Sequence, residues 1–420
     1  MKKKILFVIN TLGRAGAETA LIALLHNMDT SKYDIYLYVM LNQGEMVDEL
    51  PPSVKLLNKH YCKESVLSSK GKKLLVKRIV KKMFSHGAIF KNILYIISNA
   101  MDMLKRGQGL LPDKLLWKVI SDGSERFNEQ FDLAVAYLEG SAAYYVKDYV
   151  YASVKAGFIH IDYELAGYTK KLDRNCYKEF TKVFTVSDEV KEHFLHVYPE
   201  CKDKTSVFHN MLNVKSIIEK SKQKIEDKTF TERDGRILLL TVGRLTRQKG
   251  FDIAIKALKI LADKGHNVYW VILGDGPEKN ALNNLAAKEG VSKRFILAGA
   301  KENPYPYYLA ADIYVHATRF EGKSIAIQEA QILGCPIIAS DCSGNREQIK
   351  SGENGLLCNF NPKDIANAIE SLIKEPTRAK IFGRNAMNVK VDYSKELEML
   401  DVLIENGCSM EGRVLCKKNY

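Results

Sequence analysis

Short, almost wholly apolar runs recur along this chain of 420 residues, each followed by a glycine-bearing turn and then a stretch of helical periodicity. "KILFVIN" leads into "TLGRAGAE" and a helix with Ala17, Leu21, Leu24, Leu25 and Met28 on one face. "DIYLYVM", "DLAVAYL", "KAGFIHI", "KVFTVS" and "TSVFHN" read as further strands, and Ser187 is placed to cap the helix that begins "DEVKEHFL". The pattern restarts at "RILLLTVG", followed by a helix bearing Phe251, Ala254, Ile255, Leu258 and Leu261. It continues through strands "VYWVIL", "RFILAG", "DIYVHA", "PIIAS" and "GLLC", with helices at "EKNALNNLAAK" and "IAIQEAQIL". A strand that is apolar throughout must be covered on both faces, and crossover helices on a parallel sheet provide that cover. The expected fold class is therefore α/β, with two doubly wound Rossmann-like domains facing a cleft.

The chain is long for a single core, which agrees with two domains. The polar stretch from about Ser216 to Arg236 marks the boundary. The expected division is 1–215, 216–392, and a helix in 393–420 that packs back on the first domain. No run approaches the roughly 20 apolar residues that span a bilayer. The opening "MKKKILFVIN" has an apolar run, Ile5 to Ile9, shorter than the ~7–15 residues of a signal-peptide core, so it reads as a strand. The eight cysteines (62, 176, 201, 335, 342, 358, 408 and 416) form no Cys-x-x-Cys, so disulfide and zinc frameworks are not expected. A reducing cytoplasm is the expected compartment.

The net charge of +13 is concentrated. Residues 63–118 carry thirteen Lys or Arg against Glu64, Asp102 and Asp113, a local excess of ten. Within this insert, Lys70, Lys73, Lys77, Arg78 and Lys81 fall on one side of a helical projection, with Lys72 out of pattern. Leu75, Val76, Ile79, Val80 and Met83 fall on the other. An interfacial amphipathic helix facing an anionic partner has this form. Nucleic acid is not the expected partner, because the basic residues lack the interleaved aromatics on which bases stack.

Two strand-to-helix turns in the second half carry chemistry. In "TVGRLTRQKGFDIA", Arg244 and Lys249 flank a helix start at the carboxyl edge of a parallel sheet, where ligands of such sheets bind. Cations there do not help the helix, but they suit a bound anion; Arg247 reads as surface. "LGDGPE", with Gly274 and Gly276 around Asp275, is equally consistent with a tight turn and with ligand contact. In "RFEGKSIAIQEA", Ser324 is a candidate N-cap, and the amides of Gly322, Lys323, Ser324 and Ile325 should be free for a diphosphate. Glu321 and Glu329 stand eight residues apart, roughly 12 Å at helical rise, about the span between the two sugars of a nucleotide-sugar. Ile325, Ala326 and Ile327 argue for a buried helix start, where a glutamate needs partners.

Together, "TVGRLTRQKGFDIAIKAL", "LGDGPE", "ENPYPYYLAADIYVHAT" and "RFEGKSIAIQEAQILGCPIIASDCSGNREQI" resemble the C-terminal domain of glycosyltransferase family 4, retaining enzymes of the GT-B fold. The first half is similar more loosely, through "TLGRAGAETAL" and "FIHID". The resemblance implies that Arg244 and Lys249 neutralise a donor diphosphate and that Glu329 binds ribose hydroxyls. It implies that Glu321 and the following amides hold the transferred sugar, that Gly16 approaches the phosphates, and that His160 lies beside the reacting sugar. The family often has Phe-Pro or Phe-Gly where this chain has Lys323-Ser324, which bears on sugar preference.

The resemblance thus implies a hexosyltransferase using a nucleotide-sugar, with a UDP-sugar expected, and a glycan acceptor; the basic insert in the acceptor domain suggests a lipid-linked acceptor and, with it, cell-surface polysaccharide synthesis. A peripheral position at the inner, anionic face of the cell membrane follows from the basic insert. No Asp-x-Asp occurs, so no metal or other cofactor is expected; fixed cations and amide dipoles would stabilise the leaving diphosphate instead. The rival classes are a phosphorylase or epimerase-like enzyme of the same fold, a non-catalytic scaffold of a transferase complex and a basic nucleic-acid-binding protein. No lysine-anchored pyridoxal site is evident for the first, and the intact Arg244, Lys249, Glu321 and Glu329 set argues against the second.

Overall fold

The computed structural model describes residues 2–107, 109–164, 166–388 and 392–415, with only the backbone of Ser343 and of 406–415. The chain forms two compact units, Met1–Leu212 with Asp392–Tyr420, and Asn213–Val391. Of the expected C-terminal segment, 416–420 lie outside the described residues.

The first unit is built on seven parallel strands: β1 (Lys3–Ile9), β2 (Tyr33–Val39), β3 (Lys55–Leu56), β4 (Gln130–Ala136), β5 (Tyr151–Ile159), β6 (Lys182–Thr185) and β7 (Thr205–Val207). Their order is β3-β2-β1-β4-β5-β6-β7, reversing direction beside β1 as a doubly wound sheet does. The run "KILFVIN" is apolar throughout because both its faces are covered. Leu6 and Val8 join one buried cluster, and Ile5, Phe7 and Ile9 join the other. Helix α1 (Gly16–Asn27) buries Leu21, Leu24 and Leu25 together with Ala20 and Ala23. Ser187 caps its helix as expected, its Oγ accepting from the Val190 N–H at 3.2 Å.

The basic insert lies between β3 and β4 as α2 (Ser69–Phe84), α3 (Ala88–Lys91), α4 (Ile93–Lys105) and α5 (Pro112–Asp122). Only part of its charge faces outward. Arg78 donates to the carbonyls of Leu41 and Asn42, while Lys82 is buried against Ser124, where burial pulls its ammonium down to about 8. Lys114 and Lys118 are buried too, and Lys118 pairs with Asp122 and Asp148. The expected two-sided α2 is also only half right. Leu75 and Ile79 pack on the core, but Val76 and Val80 are exposed beside the lysines.

The second unit has β8 (Ile237–Val242), β9 (Val268–Leu273), β10 (Phe295–Leu297), β11 (Ile313–His316), β12 (Ile337–Ser340) and β13 (Leu356–Cys358), all parallel, in the order β10-β9-β8-β11-β12-β13. Phe251, Ala254, Ile255, Leu258 and Leu261 are buried on the helix Phe251–Asp263, as their spacing predicts. The helices Pro362–Lys374 and Pro376–Met387, unread in the sequence, complete the unit. Cysteines 62, 176, 201, 335, 342 and 358 are free thiols; the side chain of Cys408 and all of Cys416 lie outside the described residues. Among the described residues no helix is long and apolar enough to cross a membrane.

Candidate functional site

The residues singled out in the second unit gather at the carboxyl ends of β8 and β11. The loop after β11 is stitched to the turn after β8. Thr318 Oγ1 donates to the Gln248 carbonyl at 3.0 Å, the Arg319 N–H donates to the same carbonyl at 2.8 Å, and Gln248 Nε2 donates to the Phe320 carbonyl at 3.0 Å. Arg319 adds a bidentate pair with Asp252, at 2.9 and 2.7 Å, in the first turn of the following helix. These bonds bring Lys249 against Glu321, 72 residues away in sequence.

Lys249 Nζ pairs with Glu321 Oε2, and His316 Nε2 reaches the same oxygen at 3.1 Å. The Lys249 and Glu321 side chains are 16% and 15% exposed, so water screens the pair little. Burial pushes the Glu321 carboxyl up. The Lys249 charge and the His316 and Lys249 hydrogen bonds outweigh it and hold the group at about 2. His316 is buried, and burial lowers its pKa, so the ring is neutral at pH 7. An ionised carboxylate only accepts, so Nε2 carries the proton toward Glu321 and Nδ1 accepts from the Tyr314 hydroxyl at 3.1 Å. Glu329 is buried inside the helix Ile325–Ile332 and accepts from the Tyr308 hydroxyl at 2.9 Å. The site therefore holds two carboxylates, Glu321 fixed by the Lys249 ammonium and the neutral His316 ring, and Glu329 fixed by the Tyr308 hydroxyl; a carboxylate oxygen accepts from more than one donor, which suits both to hydroxyls.

The amide row differs from the expectation. Ser324 makes no side-chain cap, and its N–H is not free: it donates to Gln348 Oε1 at 2.7 Å, while Gln348 Nε2 donates back to the Ser324 carbonyl at 2.8 Å. Ser324 is only 3% exposed, so it shapes the turn from beneath. Lys323 already has interactions of its own. Among the described residues, the amides of Gly322 and Ile325 are without a hydrogen-bond partner. Gly344 lies under this turn, and a Cβ there would come 2.2 Å from the carbonyl oxygens of both Glu321 and Gly322. Arg244 is exposed, and among the described residues its side chain has no partner. The glycines of "LGDGPE" have a packing reason. A Cβ on Gly274 would meet the Gly243 carbonyl oxygen at 1.8 Å, and one on Gly276 the Leu245 carbonyl oxygen at 2.4 Å.

In the first unit, Gly16 opens α1 and is exposed. His160 follows β5, its ring set against Phe158 and Tyr137. Burial lowers the ring's pKa to about 4, and Nε2 is buried with no hydrogen-bond partner among the described residues. The main-chain N–H of His160 donates to Glu139 Oε2 at 3.0 Å. Glu139, after β4, has its carboxyl raised by burial against that hydrogen bond. The sequence reading missed Glu139, Gln348, His316, Tyr308 and Tyr314. The available signal was position: Glu139 and His316 are polar residues at the carboxyl ends of apolar strands. Among the described residues, Asp162, Glu189 and His193 offer ligand atoms within 4.8 Å of one another, but the Asp162–His193 hydrogen bond of 2.6 Å already occupies two of them.

Residues 222–389 match the family model for glycosyl transferases group 1. The chain is 29% identical over 161 residues to the lipopolysaccharide core biosynthesis glycosyltransferase LpsE of Rhizobium meliloti, covering 38% of this chain and 46% of that protein. It is 26% identical over 185 residues, 44% of this chain and 48% of the other, to a Campylobacter jejuni enzyme. That enzyme is an N-acetylgalactosamine-N,N'-diacetylbacillosaminyl-diphospho-undecaprenol 4-alpha-N-acetylgalactosaminyltransferase. The chain spans about half the length of the curated relatives it matches. The crystal structure of Anabaena Alr3699/HepE in complex with UDP aligns with a TM-score of 0.64 at 17% identity, over 97% of this chain and 100% of that one. That likeness shows the GT-B fold.

Proposed function

We propose that the protein is a retaining glycosyltransferase of family 4 that moves a sugar from a UDP-sugar to a glycan or lipid-linked acceptor in cell-surface polysaccharide synthesis. The observation that carries this reading is the Lys249–Glu321–His316 cluster, set before a helix that buries Glu329, within the segment matching group 1 glycosyl transferases. The roles named for LpsE and for the Campylobacter enzyme, whose name gives a diphospho-undecaprenol acceptor, support the acceptor class, and the UDP bound by HepE supports the nucleotide.

In this reading Glu329 accepts from ribose hydroxyls. Arg244, Lys249 and the amides of Gly322 and Ile325 meet the diphosphate, whose negative charge grows as the glycosidic bond breaks. Glu321 holds hydroxyls of the transferred sugar, and Lys323 with Ser324 sets which sugar is taken. Gly16 leaves room for the phosphates, and His160, neutral, offers Nε2 to the reacting sugar. The acceptor oxygen bonds to the anomeric carbon on the face the diphosphate leaves, and the leaving phosphate takes the acceptor proton. The fixed cations make a resident metal unnecessary, so turnover should withstand EDTA. The enzyme would work in the cytoplasm, in peripheral contact with an anionic membrane face.

The test is a thermal-shift screen against UDP-, GDP-, ADP- and CDP-sugars, followed by turnover on lipid-linked acceptors. A UDP-sugar shift with transfer supports the reading. Binding of no nucleotide diphosphate favours a scaffold in its place, and salt-dependent nucleic-acid binding without turnover favours a basic nucleic-acid binder.

A further inference from the structure

We infer that α2, the Phe84–Phe90 corner and α4 form a bilayer-docking surface that sets apolar side chains among anionic lipid headgroups. This deepens the membrane-facing reading above and rests on it for its purpose. Helix α4 is apolar on two sides: Tyr95, Ile96, Ala100 and Met103 pack on the core, and a second apolar row faces out. Ile93, Leu94, Ile97, Met101 and Leu104 are exposed, Leu94 to 78%, while Asn99 and Met103 are buried on the opposite side. Steps of one, three, four and three residues keep those five on one narrow stripe of the helix. Phe90, 70% exposed, extends the stripe and meets Phe84 edge-on at 6.5 Å. Phe84 in turn ends the exposed α2 row of Val76, Val80 and Phe84, spaced four apart. Soluble surfaces scatter such residues singly; a row rimmed by charge marks an interaction face.

The rim names the occupant. Lys72 heads the α2 row, four residues before Val76, and Lys73, Lys77 and Lys81 run along one flank of it, each one position on from a member of the row. Lys91 precedes α4 and Lys105 ends it. All six are exposed, and among the described residues none has an acidic partner. A second copy would bring six further lysines against these six, so like charges oppose a dimer through this face. A nucleic acid would leave the apolar stripe uncovered. An anionic bilayer satisfies both features, taking the apolar row at the acyl boundary and the lysines at the headgroups.

The test is co-sedimentation of the full-length protein with vesicles of phosphatidylcholine alone and of phosphatidylcholine mixed with anionic phosphatidylglycerol. Binding to the mixed vesicles should fall about fivefold per lysine in K73Q/K77Q/K81Q, and should fall with added salt in wild type. L94S/I97S/M101S should lower it at least about tenfold while keeping the salt dependence. I381S, an exposed apolar position in the second unit, should change nothing. Circular dichroism melts should coincide for all four proteins, since the substituted side chains face solvent. The inference is overturned if L94S/I97S/M101S binds like wild type, or if sedimentation shows a wild-type dimer that this variant abolishes. Vesicle binding without turnover of any nucleotide-sugar would fail only the proposed activity. Turnover of a water-soluble acceptor without vesicle binding would fail only this surface.

Discussion

Exchanging Glu321 for glutamine keeps its shape, removes its charge and leaves Lys249 alone. The carboxyl is held at about 2 against an ordinary 4.5, and that gap corresponds to about 3 kcal/mol in favour of the ionised form in the folded state. A depressed carboxylate contributes stability that is present above its unfolded value and lost as pH falls through its folded value. Wild type should therefore surrender about 3 kcal/mol between pH ~4.5 and ~2, and E321Q should lack that loss. At pH 7 the variant should be less stable by a similar amount, because Lys249, 16% exposed, is left without its counter-ion. The two tryptophans fall one to each unit, and Trp270 is wholly buried in β9. In a W117F background, Trp270 fluorescence in urea follows the second unit alone. The same exchange frees Lys249 for a diphosphate. Calorimetry should show UDP bound as tightly as by wild type or tighter, while turnover falls about a hundredfold, as when one oxyanion-stabilising contact is lost. The reasoning is refuted if UDP affinity drops in step with turnover, or if the stability difference is under about 1 kcal/mol and flat from pH 2 to 5.

Glu329→Gln should weaken UDP binding by about 10- to 100-fold, the range for losing a charged hydrogen-bond acceptor, with little change in melting temperature; calorimetry reads it. Gly344→Ala should cost donor affinity at least about tenfold in the same assay, because its methyl would lie 2.2 Å from the Glu321 and Gly322 carbonyl oxygens and must push the turn. His160→Ala should lower turnover about a hundredfold. Since burial holds the wild-type ring at about 4, its pH–rate profile should show no histidine limb between pH ~5.5 and ~8.

Runs such as "KILFVIN" and "RILLLTVG" were legible because a strand covered on both faces has no polar side to blur it. β3 was not, since two residues at a sheet edge carry no pattern. The site was legible wherever one turn contained it, as with Glu321 and Glu329. Gln348 was invisible because its two bonds to Ser324 close a loop of 24 residues that no local spacing encodes. His316 read simply as the end of "DIYVHA", and only the fold sets its ring against Glu321. Hydrophobic spacing also misled in the insert. It shows that a helix has an apolar side but not that the body covers all of that side, and α2 leaves Val76 and Val80 uncovered.

The C-terminal helix Ser394–Leu415 sends Leu400 and Ile404 into the core beneath the first sheet, although that sheet's last strand ends near residue 207. During synthesis the first-made half must therefore wait, its hydrophobic floor incomplete, until every residue of the second unit has left the ribosome. The two passages of backbone that join the units are fastened side by side. The Tyr393 hydroxyl accepts from the Leu212 N–H at 3.0 Å, and His209 Nδ1 is 2.8 Å from Glu396 Oε1. The second unit is thus an insertion carried on a closed stem. Residues 213–391 could be cut out and a few glycines put in their place with the first unit still able to complete itself.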